Sequence, residues 1–294
     1  MRNGSSRVKF SVVIPCYNGA DTIGNLLESL SKQVWDKPWE VIVADNRSTD
    51  DSRAVIESFR DRLPGLRVVD AFERQGQPYA LNTGVRASRG ESVAFCDVDD
   101  ETGEGWLAAM GNALEKHDFV AARFDFEKLN PAWTIRYRPN PQKDGLQQYK
   151  NPPFLPHAGG GSLGVKRFLF DLAGGFDEDF PALHDTDFCW KAQLAGYELH
   201  FVPEAVMHIR LRDTLGGLFR QASYYGEYNV KLYTRYRSMG MPELSWRAGA
   251  RQWKRLLRRL PGLRHASERP QVIRSLGWRL GRLKGCIKYR TTAL

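Results

Sequence analysis

The sequence predicts an α/β protein, a mixed, mainly parallel sheet with helices on both faces, followed by a basic helical appendage. Three observations carry this expectation. Short apolar runs of strand length alternate with amphipathic stretches over the first hundred residues, the pattern of successive βαβ units. Three of those runs close on Pro15, Asp45 and Asp97, at what would be the carboxyl ends of strands, where open α/β sheets bind ligands. Finally, residues 251–294 hold thirteen Lys and Arg against the single acid Glu268, a net charge of +12, while the preceding 250 residues carry 30 basic and 33 acidic residues, net −3.

Each element follows from its local pattern. Phe10 to Pro15 is a buried-strand run closed by proline. Asp21, placed to cap a helix, precedes Ile23, Leu26, Leu27 and Leu30 on one helical face. Glu40 to Ala44 is a second strand, Ala54, Ile56 and Phe59 continue as a helix, and Leu66 to Val69 form a third strand. Tyr79 to Ser88 reads as a helix leading into the strand Val93-Ala94-Phe95-Cys96. Residues 130–156, rich in Pro, Asn and Gln with scattered aromatics, predict a long excursion over the site. In His157-Ala158-Gly159-Gly160-Gly161-Ser162 the three glycines serve either a close backbone approach or a plain hinge.

The chain of 294 residues, 42% hydrophobic and 26% charged, is long enough to bury a full core. No apolar run approaches the roughly 20 residues of a membrane span, and the N-terminus lacks a signal-peptide core. The expectation is a cytoplasmic protein, with peripheral attachment to the inner face of the cell membrane through its tail. Cys16, Cys96, Cys189 and Cys286 are widely spread without a Cys-x-x-Cys pair, which fits reduced, mostly buried thiols and neither a disulfide framework nor a zinc site.

The chemistry concentrates in Asp97-Val98-Asp99-Asp100. A strand cannot hold unpaired carboxylates inside a core, so they belong at its end. Residues two apart on an extended chain point the same way, which lets Asp97 and Asp99 converge on one hard cation, Mn²⁺ or Mg²⁺. A lone Asp-x-Asp is equally at home in an acidic turn.

Five segments, in order and over roughly residues 8–210, resemble family 2 glycosyltransferases of the GT-A (Rossmann-like, nucleotide-binding) fold. These are Val12 to Asn18, Asp45 to Asp50, Ala80-Leu81-Asn82-Thr83-Gly84 leading to Asp97-Val98-Asp99-Asp100, Gly174 to Glu178 with Asp185-Thr186-Asp187-Phe188, and Pro203 to His208. The resemblance implies a glycosyltransferase domain over residues 1–212, with a nucleotide-sugar half at about 8–100 and an acceptor half at 101–212, and a helical basic region over 213–294. It implies donor contacts from Pro15, Tyr17, Asn18, Asp45, Asn82, Asp97 and Val98. It also implies a metal site at Asp97, Asp99 and His208, and Asp185 as catalytic base. Taken alone, His208 would be an ordinary half-buried strand histidine, Asp185 a helix N-cap, and Asp187 a structural charge in the helix's first turn.

Two departures bear on specificity. His184 stands where the family usually has Glu, removing a like charge beside Asp185. Asn46 stands where many members have a second Asp, and Asp-Asn-x-Ser also resembles rhamnosyl and other deoxysugar transferases; a UDP-sugar remains the first expectation, and this departure makes a dTDP-sugar the second. The chain lacks the Gln-x-x-Arg-Trp element of processive synthases, which favours transfer of one sugar to a glycan or lipid-linked acceptor. Rival readings are a non-catalytic membrane-docking scaffold and a sugar-nucleotide-forming nucleotidyltransferase. The latter lacks a basic triphosphate loop after the first strand.

In the tail, Trp246, Ala250, Trp253, Leu257 and Leu260, and then Ile273, Leu276, Leu280, Leu283 and Ile287, recur at helical spacing among cations. Residues 246–290 therefore suit an anionic membrane surface, with packing against the catalytic domain as the alternative. Nucleic acid is set aside, because no nucleic-acid module is visible and the body is acidic.

Overall fold

The computed structural model describes residues 8–150, 152–244 and 246–293. The side chains of Trp246 and Ala248 lie outside the described set. In chain order the elements are β1 (Phe10–Cys16), α1 (Ala20–Ser31), β2 (Trp39–Asp45), α2 (Ser52–Glu57), β3 (Arg67–Asp70), α3 (Gln77–Ala87), β4 (Ser92–Phe95), β5 (Glu101–Thr102) and α4 (Trp106–Lys116). There follow β6 (Phe119–Asp125), α5 (Ala132–Tyr137), β7 (Leu163–Lys166), α6 (Arg167–Leu172), α7 (His184–Leu194), β8 (His200–His208), α8 (Leu215–Tyr236), α9 (Trp246–Arg259) and α10 (Arg269–Lys288).

The strands form one sheet in the order β3-β2-β1-β4-β7-β6-β8-β5. The β3-β2-β1-β4 half is parallel, and β7 runs antiparallel between β4 and β6. The mixed, mainly parallel α/β sheet expected from the sequence is present. All seven residues of β1 are buried, and each large apolar side chain withdrawn in this way contributes about 1.5–3 kcal/mol. Strand order reverses at β1, with β2 on one side and β4 on the other. This topological switch opens a crevice at the strands' carboxyl ends.

Two expectations need correction. Helix α1 begins at Ala20 with Gly19 in the cap position, so Asp21 lies inside the first turn. The Ala20 amide donates to Asp50 Oδ2 at 2.9 Å, so a carboxylate from another loop does the capping. Residues 130–156 are not one structureless excursion, since they contain α5 and an antiparallel bridge between Gln147 and His157.

The chain divides into two compact units. The first comprises residues up to Asp125, Pro141–Gln147 and Pro156–Arg210; the second comprises Phe126–Asn140, Gln148–Leu155 and the chain from Leu211 onward. The second unit therefore takes residues 126–140 and 148–155 from the stretch the sequence reading placed in the acceptor half.

Within the second unit, α10 packs along α8 by its backbone. A Cβ on Gly277 would come within 2.6 Å of the Phe219 carbonyl oxygen, one on Gly285 within 2.8 Å of that of Glu227, and one on Gly281 would collide with the Ser223 carbonyl. Glu227 is buried between Lys284 and Lys288, at 2.7 and 2.8 Å. Burial opposes its ionisation, yet the two ammonium groups hold its carboxyl below the usual range. No described helix is long and apolar enough to cross a membrane.

Candidate active site

The first unit gathers the sequence-singled residues at the carboxyl edge of the sheet. Cys16 is in register with Asp45, and Asp45 with Asp70. The Cys96 amide donates to the Val13 carbonyl, so Asp97 leaves β4 directly beside the end of β1. All four cysteines are buried and free.

The β1–α1 turn and the loop after β2 are stitched together. The Asn18 amide donates to Ser48 Oγ at 3.1 Å, and Asn18 Oδ1 accepts from the Thr49 amide at 2.8 Å. Asn18 has a φ of 49°, a left-handed conformation that Asn tolerates better than most residues. Tyr17 is left 51% exposed beside it, while Pro15 is buried in β1. Val98 packs against Gly19, where a Cβ would come within 2.6 Å of its Cγ2.

Asp45 is 1% exposed; its Oδ1 accepts from the Ser48 amide at 2.9 Å and its Oδ2 from Arg53 Nε at 2.5 Å. Arg53 also pairs with Asp70. At the opposite end of β2, Glu40 is equally buried but bonds Ser11, Arg67 and the Arg89 amide, an internal polar brace far from the crevice edge.

Asn46 has a task that needs an amide. Its Nδ2 donates to the Ala71 and Arg74 carbonyls, and its Oδ1 accepts from the Gly76 amide at 2.7 Å. A carboxylate could not donate, so Asn here orders the 71–76 loop and says nothing of the donor base. Asn82 is similarly committed. It clamps the Phe176 backbone from both sides at 2.8 and 3.0 Å and reaches Glu178 at 3.1 Å. Gly175 fits against it with a φ of 66° and no room for a Cβ.

Asp97 Oδ1 accepts from Gln77 Nε2 at 2.7 Å. The turn beyond it is tied to the exit of β8, where Arg210 donates its amide to Asp100 at 2.8 Å and its Nε to the Asp99 carbonyl at 3.1 Å. Asp100 is 3% exposed, and burial, reinforced by the charges of Asp97 and Asp99, pushes its carboxyl well above the usual range. His208 is in register with Glu101 of β5 and Asp125 of β6. Its Nδ1 meets Asp125 Oδ2 at 2.5 Å, which leaves Nε2 for another partner.

Among the described residues no three His, Cys, Asp or Glu side chains form a group placed to hold a metal ion. The expected set of Asp97, Asp99 and His208 is thus not a closed protein cage. His208, backed by Asp125, and the half-buried Asp97 and Asp99 are donor types that suit a hard cation taking its remaining ligands from substrate phosphates and water, as Mg²⁺ sites do.

Asp185 occupies the second position of α7, and the cap position is Leu183, which makes no side-chain cap bond. Asp185 Oδ2 accepts from the Gly160 amide at 2.9 Å, and Oδ1 from the Thr186 amide at 2.7 Å. The Gly160–Ser162 turn also faces Asp97, since a Cβ on Gly161 would lie 3.0 Å from its carboxylate. The glycine segment is therefore a close approach. Gln142 fixes it through Ser162 Oγ at 2.8 Å and the Gly159 amide at 3.0 Å.

Asp187 is fully buried and pairs with Lys191 at 3.3 Å. His184 is 5% exposed, its ring edge-on to Phe176. Burial lowers its pKa, so it presents a neutral imidazole beside Asp185. Beneath these groups Phe95, Phe170, Phe176 and Phe188 pack with ring centroids 5.0–5.9 Å apart. Such pairs add about 0.5–1.5 kcal/mol each beyond area burial and give Asp97 and Asp185 one rigid floor.

Asp125, Gln77, Arg53 and Gln142 join the site without standing out in the sequence. Asp125 nonetheless carried a legible signal, because Phe119 to Asp125 is another strand-length run, apolar but for Arg123, closed by a carboxylate.

Comparison with known proteins agrees with the fold of the first unit. The family model described as "Glycosyl transferase family 2" matches residues 11–172. Glycosyltransferase AglE of Haloferax volcanii is 36% identical over 208 residues, 67% of this chain and 65% of that protein. Among solved structures, the mannosyltransferase PcManGT from Pyrobaculum calidifontis in complex with GDP-Man and Mn²⁺ superposes with a TM-score of 0.58 at 21% identity, covering 97% of this chain and 76% of that one. Staphylococcus aureus TarS 1-349 in complex with UDP gives 0.52 at 18%, covering 97% and 92%.

Proposed function

The chain belongs to glycosyl transferase family 2, and from that premise we propose that it is a metal-dependent, inverting transferase. It moves one sugar from a nucleoside-diphosphate sugar, a UDP-sugar first and a dTDP-sugar second, to a hydroxyl of a glycan or lipid-linked acceptor. The observation that carries this reading is the Gly160–Ser162 turn, which has the Asp97 carboxylate against Gly161 and the Asp185 carboxylate on the Gly160 amide. A donor-side acid and a candidate base thus flank one rigid turn.

In this reading Asp45, Asp97 and the backbone about Pro15, Tyr17, Asn18 and Val98 line the nucleoside. Asn82 acts at one remove, by holding the 174–178 loop. Asp185 takes the acceptor hydroxyl's proton as that oxygen attacks the anomeric carbon. The bond from that carbon to the diphosphate oxygen breaks on the opposite face, and the electron pair leaves with the nucleoside diphosphate. One displacement inverts the centre. Asp99 and His208 Nε2, with Asp97, would hold Mn²⁺ or Mg²⁺, whose charge stabilises the developing diphosphate. The amides of Gly160 and Thr186 hold Asp185 in place without a rotamer search.

A thermal-shift panel of UDP-, dTDP- and GDP-sugars, each with and without Mn²⁺, tests the donor. At 100 times its Kd a ligand stabilises by about 2.7 kcal/mol. A Mn²⁺-dependent shift with one nucleotide supports the reading, and none with any would refute it.

The tail fits an anionic bilayer. Leu257, Leu280, Leu283 and Ile287 are 39–74% exposed, and Arg251, Lys254, Arg255, Arg258 and Arg259 of α9 are exposed as well. Each cation near an anionic surface contributes about 1 kcal/mol. The other stripe residues differ. Ala250 is exposed, while Trp253, Leu260, Ile273 and Leu276 are half-buried. Leu280, Leu283 and Ile287 changed together to Ser should abolish sedimentation with phosphatidylglycerol vesicles while leaving the melting temperature unchanged.

A further inference from the structure

The second unit contains a cavity of about 360 Å³ lined by none of the residues assigned to the transfer reaction. Four guanidinium groups line it, those of Arg138, Arg274, Arg279 and Arg282, and no lining residue is an acid. Its apolar wall includes Leu218, Leu244 and Trp278, and the amides of Gln221 and Gln252 add neutral polar groups.

The cations are unmatched. Arg282 is 5% exposed; it donates to Asn229 Oδ1 and the Ala293 carbonyl, and its buried Nε has no partner. No carboxylate among the described residues pairs with Arg138, Arg274 or Arg279. Arg138 instead lies over the Phe126 ring, 5.9 Å from its centroid. Desolvation, then the charge of Arg282, pushes Arg279 down to about 10. Desolvation and the charge of Arg138 act in the same direction on Arg274.

Arg282 is buried without a carboxylate partner, Arg138 and Arg279 are half-buried and Arg274 is exposed; burying the Arg282 charge costs free energy, and like charges facing each other add to that cost. An anion entering the cavity would relieve both. Guanidinium forks match phosphate oxygens two at a time, and a volume of this size suits a small ligand. We propose that this cavity is a binding site for a phosphate- or diphosphate-bearing ligand, with any organic part resting on Trp278 and Leu218. The site goes beyond the transfer reaction and needs neither the sugar donor nor a metal.

Calorimetric titration of the full chain in EDTA, at constant ionic strength, tests it with inorganic diphosphate and with geranyl diphosphate. Saturable binding is expected, weakened at least tenfold in Arg274→Gln/Arg279→Gln and by less in Arg274→Lys/Arg279→Lys, which keeps the charge but loses the fork. Geranyl diphosphate binding at least tenfold more tightly than diphosphate identifies a lipid-linked phosphate as the ligand; equal affinities identify a soluble phosphate. Should the Gln pair lower the melting temperature, Arg138→Gln alone supplies the same comparison. Absence of saturable binding to the unmodified chain, or affinities unchanged by folded Gln variants, overturns the proposal.

Discussion

Asp125 holds Nδ1 of His208 at 2.5 Å, across a register pair of two parallel strands. This contact fixes the ring's orientation and leaves Nε2 facing outward from the pair, the role of a carboxylate behind a metal-binding histidine. Asp125→Asn should weaken Mn²⁺ affinity by about 10- to 100-fold. A Mn²⁺ titration of donor-dependent thermal stabilisation reads this directly. An unchanged midpoint would assign the pair to the β6–β8 junction alone.

Asp185→Asn should lower kcat by about 10²- to 10⁴-fold, the usual contribution of a positioned base. Donor KM should stay near its original value, because the substitution keeps the side chain's size and an acceptor oxygen for one of the Gly160 and Thr186 amides. Retention of full turnover would place the base elsewhere.

Removing the Asn82 amide orphans the N–H and C=O of buried Phe176. Unsatisfied buried groups cost about 1–3 kcal/mol each, so Asn82→Ala should lower the melting temperature by several degrees. Asn82→Asp should also destabilise, because a carboxylate cannot donate to the Phe176 carbonyl. A donor affinity that collapses while stability holds would instead point to direct donor contact.

His184 gives a pH signature of defined sign. Burial lowers its folded pKa below the 6.5 of a free imidazole. As pH falls through 6.5 the unfolded chain takes up a proton that the folded chain does not, so stability is lost toward acid. Asp100, with its raised pKa, works in the opposite sense, so the comparison needs a variant in which only the histidine differs. From pH 7 to 5 the native chain should lose unfolding free energy relative to His184→Gln, measured by urea denaturation. Parallel pH profiles would count against a neutral buried ring.

The parallel half of the sheet was legible because β1, β2 and β4 are near-continuous apolar runs, and such runs have few alternatives once helices alternate with them. Asp45 and Asp97 were legible because a carboxylate closing an apolar run must sit at a strand end. Partners were harder to read. Gln77 meets Asp97 across 20 residues and Gly160 meets Asp185 across 25, separations over which sequence periodicity carries no information. Asn46 misled for a related reason. Its place in the family pattern suggests a bearing on the donor, yet its amide is fully engaged with backbone 25 to 30 residues downstream. The tail's helical period was visible, but the glycines, not the leucines, proved to be its docking face.

That docking by glycine separates adhesion from identity in α10. The residues that seat the helix have no side chains to vary, so almost any replacement at 277, 281 or 285 would unseat it. The outward positions 280, 283 and 287 contribute little to that seat and are free to drift. Descendants of such a chain can retune what this surface meets, residue by residue, while the helix stays where it is.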